Sequence, residues 1–221
     1  NWNMLVPLTT CGDSPIALDT FLINYLTPGG AYYSIGNFFN QPGQQYNYTN
    51  VGASLLALIV SSLTGKGFDE YCRDSIFIPL SMYKTSWFLA GMNLNEIATP
   101  YVGTTPVCHE GWPCYPSGFL RTNKMELLNF LYTYMNGGVY NNYTLLDSGT
   151  INYMLTDHLG YIINGIRVQG LIWNKRLPFY PSLWGHFGSW KGVETFMGYN
   201  PSEDYGLIWF QNSGDPNSYY M

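Results

Sequence analysis

Charge is scarce in this sequence. Of its 221 residues, 9 are Lys or Arg and 14 are Asp or Glu, 10% in all, where a soluble domain averages about 25%. The net charge of −5 leaves no basic footprint for nucleic acid and no polybasic contact for an anionic membrane. Long apolar runs are lacking too. The longest, Val51–Leu63, falls short of the roughly 20 residues a bilayer span needs. Because it contains Ser54, Ser61 and Ser62, it reads as a buried helix. No basic stretch precedes an apolar one at the start, NWNMLVPL, so no signal peptide is read there. Asn1 does not look like a natural start, and the chain is expected to be a fragment or a processed product. No G-x-S-x-G nucleophile elbow occurs. No pair of Asp/Glu residues at helical spacing is read as lining a cleft, which weakens a glycosidase reading.

Tyrosine, glycine and asparagine fill the space that Lys and Glu usually take: there are 20 Tyr and 24 Gly. A surface so poor in charge points to a secreted protein, or to one partly covered by a partner. Four cysteines, Cys11, Cys72, Cys108 and Cys114, allow three full pairings. Cys108 and Cys114 bracket HEGWP, a short proline-bearing loop, and are expected to bond to each other; the alternative is four reduced, buried thiols. Asn47 and Asn142 each open an Asn-Tyr-Thr sequon, compatible with secretion. Asn142 is the expected glycan acceptor. Cys108, His109 and Cys114 lack a fourth ligand at a usual spacing, so no zinc site is expected. His109 and His158 read as structural.

Apolar periodicity predicts helices over 13–25, 50–64, 68–77, 122–136 and 148–156. Ser14-Pro15 makes an N-cap and first-turn pair for the first of them. On the fourth, Met125, Leu128, Leu131, Tyr132 and Met135 share a face. From Gly160 the character changes. YIINGIRV has Asn-Gly between two β-prone runs, the signature of a tight hairpin. Further strands are read at GLIWNKR, around Trp184–His186, at VETFMGYN and at YGLIWFQN. Helices to about residue 158 followed by antiparallel strands imply an α+β fold, with residues 1–158 mainly helical and 159–221 a sheet region of one compact unit.

One Ser-x-x-Lys occurs, Ser81-Met-Tyr-Lys84. In a serine enzyme of that kind the serine opens a helix, and one turn brings the lysine amine beside it. Ser81 instead follows Pro79-Leu80 in a turn and reads as a chance occurrence. Two other pieces fit together. Tyr48-Thr49-Asn50 follows Pro42-Gly43 and Tyr46 and leads into an apolar helix rich in small residues, then IFIPLSMYKT. Far downstream stand His186-Phe187-Gly188, then Gly192, Thr195, Pro201, Gly206 and Asn212. Between them lies PSGFLRTNKMELLNFLYTYMNGGVY. In order and spacing these segments resemble the class C β-lactamase and penicillin-binding-protein-like serine hydrolases, over nearly the whole chain.

That resemblance implies a β-lactamase/transpeptidase-like fold, an antiparallel sheet with helices plus a mainly helical subdomain. It also implies hydrolysis of an amide, ester or D-amino-acid peptide through an acyl-enzyme, with no cofactor. Tyr48 would be the general base, its proton eased off by a helix N-terminus and a nearby cation. Asn50 would hold a substrate amide or carbonyl. His186 would place a polar group beside Tyr48 or the substrate, Gly188 would let the strand edge approach closely, and the Ser189 N–H would be one arm of an oxyanion hole. By themselves Asn50 reads as an N-cap and Tyr48 as a half-buried aromatic; the joint pattern is what points to a site. The chain departs from the family where Ser-x-x-Lys should precede Tyr48, and in the N-terminal strands and C-terminal helix. The alternative function is a catalytically inactive extracellular binding or structural module. The strand at Tyr205–Asn212, uncharged from Gly206 on, is expected to pair with a second polypeptide segment, either the protein's own N-terminal part or a neighbouring chain.

Overall fold

A computed structural model describes residues 6–38, 40–160, 168–175 and 182–214. The helices are α1 (Leu18–Leu26), α2 (Asn50–Thr64), α3 (Phe68–Cys72), α4 (Lys124–Met135) and α5 (Ser148–Met154). The strands are β1 (Thr10–Cys11), β2 (Tyr101–Val102), β3 (Thr105–Pro106), β4 (Glu110–Gly111), β5 (Val139–Tyr140), β6 (Tyr143–Thr144), β7 (Val168–Gln169), β8 (Asn174–Lys175), β9 (Trp184–Trp190), β10 (Val193–Asn200) and β11 (Tyr205–Gln211). The last five form one antiparallel sheet in the order β11-β10-β9-β8-β7. The other strands make three two-stranded pairs, β1 with β4, β2 with β3 and β5 with β6.

The first helix begins later than its periodicity predicts, at Leu18, with Ala17 at the cap position and no side-chain cap. Two tertiary demands explain the shift. The Asp13 carboxylate accepts hydrogen bonds from the Leu89 and Ala90 N–H groups, at 2.8 and 3.0 Å, and Ser14 Oγ accepts from Ile16 N. Helix α2 keeps its predicted span. Gly65 ends it in the left-handed conformation at φ 69°, its N–H returning to the Ser61 carbonyl, which glycine adopts without steric cost. The buried-helix reading of α2 is corrected. Val51, Ser54 and Ala57 face the core, but Leu56, Ile59 and Leu63 lie on the exposed side. Beyond α3 the chain continues as a π-helical turn, Arg73–Phe77.

Helix α4 is capped by Asn123, whose Oδ1 accepts from Met125 N and Glu126 N. Its buried face is not the predicted one. Leu131, Thr133 and Tyr134 are buried with the Glu126 carboxylate, whereas Met125, Leu128 and Tyr132 are exposed. The reason is the contact with the sheet. Helix α4 packs on β10 and β11, and Gly206 lets it come close: a Cβ there would stand 2.8 Å from Leu131 Cδ2 and 3.1 Å from Met135 Sδ. The Glu126 carboxylate meanwhile accepts from Lys84 N and Thr85 Oγ1.

Among the predicted strands, VETFMGYN is β10 residue for residue, and Trp184–His186 extends to Trp190. Of GLIWNKR, residues 170–173 form the turn joining β7 to β8 and Asn174–Lys175 are in a strand; Arg176 lies outside the described residues. The Asn-Gly hairpin at YIINGIRV lies, except for Val168, outside the described residues. Three core clusters hold the chain. One joins α1 and α2 through Phe21, Leu22, Val51 and Trp112. A second joins α4 to the sheet through Leu131, Tyr134, Trp184 and Tyr199. A third, around Leu80, Met82 and Trp87, fills the region after the π turn.

Candidate active site

The chain enters α2 in extended form through Thr49, at φ −147° and ψ 126°, and Thr49 takes the N-cap, its Oγ1 accepting from Gly52 N at 3.3 Å. This corrects the reading of Asn50 as the cap. Asn50 is the first helical residue and is buried, so its amide is not spent on capping. Tyr48, two residues earlier, stands outside the helix mouth and is half exposed.

Strand β9 supplies the facing side. Successive side chains of a strand point to opposite faces, so His186, Gly188 and Trp190 share one face of β9. The imidazole of His186 stands 5.8 Å from the Tyr48 ring, centroid to centroid, at 36°. The structure therefore brings together two motifs from opposite ends of the sequence. His186 Nδ1 lies 2.5 Å from the Phe187 carbonyl. Gly188 pairs with Thr195 and Ser189 with Glu194 across the ladder. A Cβ on Gly188 would stand 2.4 Å from Thr195 Oγ1, so the absent side chain lets the threonine hydroxyl lean over the strand.

Tyr48 does not behave as the sequence leads one to expect. Partial desolvation of the phenol, with neighbouring Tyr46 second, raises its pKa above the ordinary 10.0. In this environment burial favours the uncharged form of the phenol.

Sequence reasoning missed a group of aromatic residues at the far end of β9. Trp190 Nε1 donates to Glu110 Oε2 at 2.6 Å, and Glu110 Oε1 accepts from Lys191 Nζ at 3.0 Å. Phe119 meets the Trp190 ring edge-on at 5.2 Å, and Trp112 lies 6.0 Å away. Phe119 holds a left-handed backbone at φ 63°, uncommon for a bulky residue and a cost of about 1–3 kcal/mol that tends to gather at ligand-binding sites. The one signal in the sequence was Trp190 four residues past His186; nothing in it tied Glu110 or Phe119 to that strand.

Other candidates separate from the site. Ser81 lies in a turn at φ 57°, and Lys84 pairs with Glu96 at 2.5 Å, so Ser81-x-x-Lys84 does not form the helical turn its chemistry requires. A cavity of about 1210 Å³ has Lys84, Arg121 and, from β11, Ile208–Phe210 in its walls, but none of Tyr48, Asn50, His186 or Gly188. It is space beside the outer strand of the sheet, away from the motif residues. No group of three or more His, Cys, Asp or Glu among the described residues could hold a metal ion.

The expected Cys108–Cys114 bond is corrected. The disulfide joins Cys11 to Cys108, with Cα atoms 5.6 Å apart, and Cys72 and Cys114 are free and buried. Pairing decides it. Strand β1 lies against β4 with Cys11 opposite Glu110, and Gly12 N donates to the His109 carbonyl, so Cys108 sits beside Cys11. Cys114 instead passes under α2, where its carbonyl accepts from Ser54 Oγ at 3.3 Å. Asn142 is exposed at the tip of the β5–β6 hairpin, with Asn141 and Asn142 at φ 44° and 66°.

A family model described as Beta-lactamase matches residues 33–220. The chain belongs to the β-lactamase family. This is a β-lactamase-fold serine hydrolase family, and the helix-and-sheet architecture described above is the β-lactamase/transpeptidase-like α+β fold. A provisionally named D-alanyl-D-alanine carboxypeptidase of Escherichia coli (strain K12) is 26% identical over 189 residues, 71% of this chain and 43% of that protein. The chain thus spans less than half the length of that relative. A penicillin binding protein from Bacillus halodurans superposes with a TM-score of 0.71 at 18% identity, covering 92% of this chain and 60% of the other. A D-amino acid amidase from Ochrobactrum anthropi SV3 gives 0.64 at 23%, covering 82% and 54%. The last two are likenesses of fold.

Proposed function

We propose that this β-lactamase-family chain is the core of a serine hydrolase that opens an amide, ester or D-amino-acid peptide through an acyl-enzyme. The observation that carries the reading is the Tyr48–His186 ring contact at 5.8 Å, which brings one residue of the Tyr-x-Asn segment beside one of the His-x-Gly segment. The nucleophile in this reading comes from a Ser-x-x-Lys segment other than Ser81–Lys84. Its lysine ammonium would stand beside Tyr48 and pull the phenol's pKa down, because an opposite charge within about 4–6 Å favours the ionised form. Tyr48 would then take the serine proton and return it to the leaving group. Asn50 and His186 would hold the substrate's polar groups. Gly188 would admit the scissile carbonyl to the strand, and the Ser189 N–H would donate to the oxyanion.

In the same reading, a second polypeptide segment completes the sheet along the outer side of β11. The likenesses to a carboxypeptidase and a D-amino acid amidase favour a D-configured residue next to the scissile bond. A catalytically inactive binding module of the same fold is the second reading, favoured by the charge-poor, tyrosine-rich composition. Fluorophosphonate and penicillin probes on the full-length gene product decide between them. Covalent labelling of a serine, reduced by Tyr48→Phe, is the expected result. A full-length protein that neither labels nor turns over a D-amino-acid amide is the inactive module.

A further inference from the structure

We propose that Asn142 carries an N-linked glycan. It opens the sequon Asn142-Tyr143-Thr144, and the fold presents that sequon at the tip of the β5–β6 hairpin. Val139 pairs with Thr144 and Tyr140 with Tyr143, which leaves Asn141 and Asn142 as a two-residue loop. Both have positive φ, 44° and 66°, as a tight type I′ turn requires. Asn142 and Thr144 are exposed. The turn accounts for asparagine at both loop positions, since asparagine tolerates that backbone. It makes no demand for a hydroxyl at residue 144, and that hydroxyl completes the sequon. The hairpin is anchored below its tip. Tyr143 Oη donates to the Ser75 carbonyl at 3.0 Å, Leu145 N donates to the Gly138 carbonyl at 2.8 Å, and Tyr140 and Leu145 pack on the third core cluster.

Two features of the whole chain agree with passage through a compartment where glycans are added. The Cys11–Cys108 disulfide joins two exposed cysteines, and disulfides persist in oxidising compartments but are rare where thiols are kept reduced. The chain also carries charge on only 10% of its residues, so its own side chains do little to keep it soluble, and a glycan is bulky, hydrophilic and solubilising. The step is a glycosyl transfer. A bond forms between Asn142 Nδ2 and the terminal C1 of an oligosaccharide, and the bond from that carbon to a polyprenyl diphosphate donor breaks. The diphosphate leaves with the electron pair, and Nδ2 gives up one proton. The second sequon, Asn47-Tyr48-Thr49, stands differently, because its Thr49 hydroxyl is engaged as the cap of α2.

The test is mass spectrometry of the full-length gene product isolated from its own cells, before and after peptide-N-glycosidase in heavy-oxygen water. That enzyme leaves an aspartate bearing one heavy oxygen wherever a glycan stood. Residue 142 is expected to be read as such an aspartate, with the intact mass falling by the mass of the sugar chain. Thr144→Val keeps both turn asparagines and a strand-forming residue at 144; it should lose the glycan and the mass shift completely, and Thr144→Ser should retain them. Should Thr144→Val fail to fold, the unsubstituted protein decides by the presence or absence of heavy aspartate at residue 142. An unmodified Asn142, a glycan found on Asn47 and not on Asn142, or a sugar that survives Thr144→Val each overturn the proposal.

Discussion

At the scale of single residues, burial is the largest influence on the two free thiols. The Cys114 thiol is pushed from its ordinary 9.0 to about 12 by desolvation, against a smaller opposing effect of Ser54, and Cys72 to about 12 by desolvation with Asp69 second. Below pH 9 both thiols are protonated folded or unfolded, and their contribution to stability is fully present. Between pH 9 and about 12 the unfolded chain sheds these protons first, so stability falls as pH rises through that window. Thermal melts followed by circular dichroism should show the midpoint dropping across it, less steeply in Cys114→Ala. At pH 8, iodoacetamide should modify neither thiol in the native protein and both in denaturant, because only the thiolate reacts; rapid native labelling would contradict the burial. The identity of Tyr48 and His186 as a pair was legible in the sequence, since each sits in a characteristic local pattern. The direction of the Tyr48 shift was not, because its largest cause is how much of the phenol folding takes from water.

At the scale of elements, β11 is the exposed feature. Among the described residues it is the outermost strand of its sheet. Among the described residues, backbone partners reach its outer side past its end, where Tyr101 N donates to the Asn212 carbonyl and Gly214 N to the Tyr101 carbonyl. Alternate amides of an outer strand point away from the ladder, and β11 carries neither lysine nor proline, the residues that usually guard such an edge. Hydrogen exchange on the isolated chain should find one alternate set of amides between Gly206 and Gln211 weakly protected, and slowed when the completing segment is present. A proven monomer with all of these amides strongly protected would show the edge already satisfied. Strand β10 could be read residue for residue because its apolar period is local. The burial of α4 could not, because the face that docks is set by where Gly206 lets the helix touch β11.

At the scale of the whole molecule, one covalent bond ties the start of the described chain to its middle. Cys11 and Cys108 are separated by 97 residues, and closing a loop of that length restricts the unfolded chain by about 4–5 kcal/mol in the chain-entropy account. The Cys11→Ser/Cys108→Ser double variant should therefore lose most of that amount in denaturant titration. Peptide mapping without reductant should yield a Cys11–Cys108 peptide with Cys72 and Cys114 alkylated; a Cys108–Cys114 peptide would refute the pairing.

The sequence by itself determined the α+β order, the spans of α2 and β10, and the family, since each is written in local periodicity or in motifs whose spacing survives without the fold. Only the tertiary structure decided the disulfide, because strand pairing, not loop length, brings two sulfurs together. It also put Trp190, Glu110 and Phe119 together at one end of β9, for side chains far apart in sequence become neighbours only through the packing of sheet on helix.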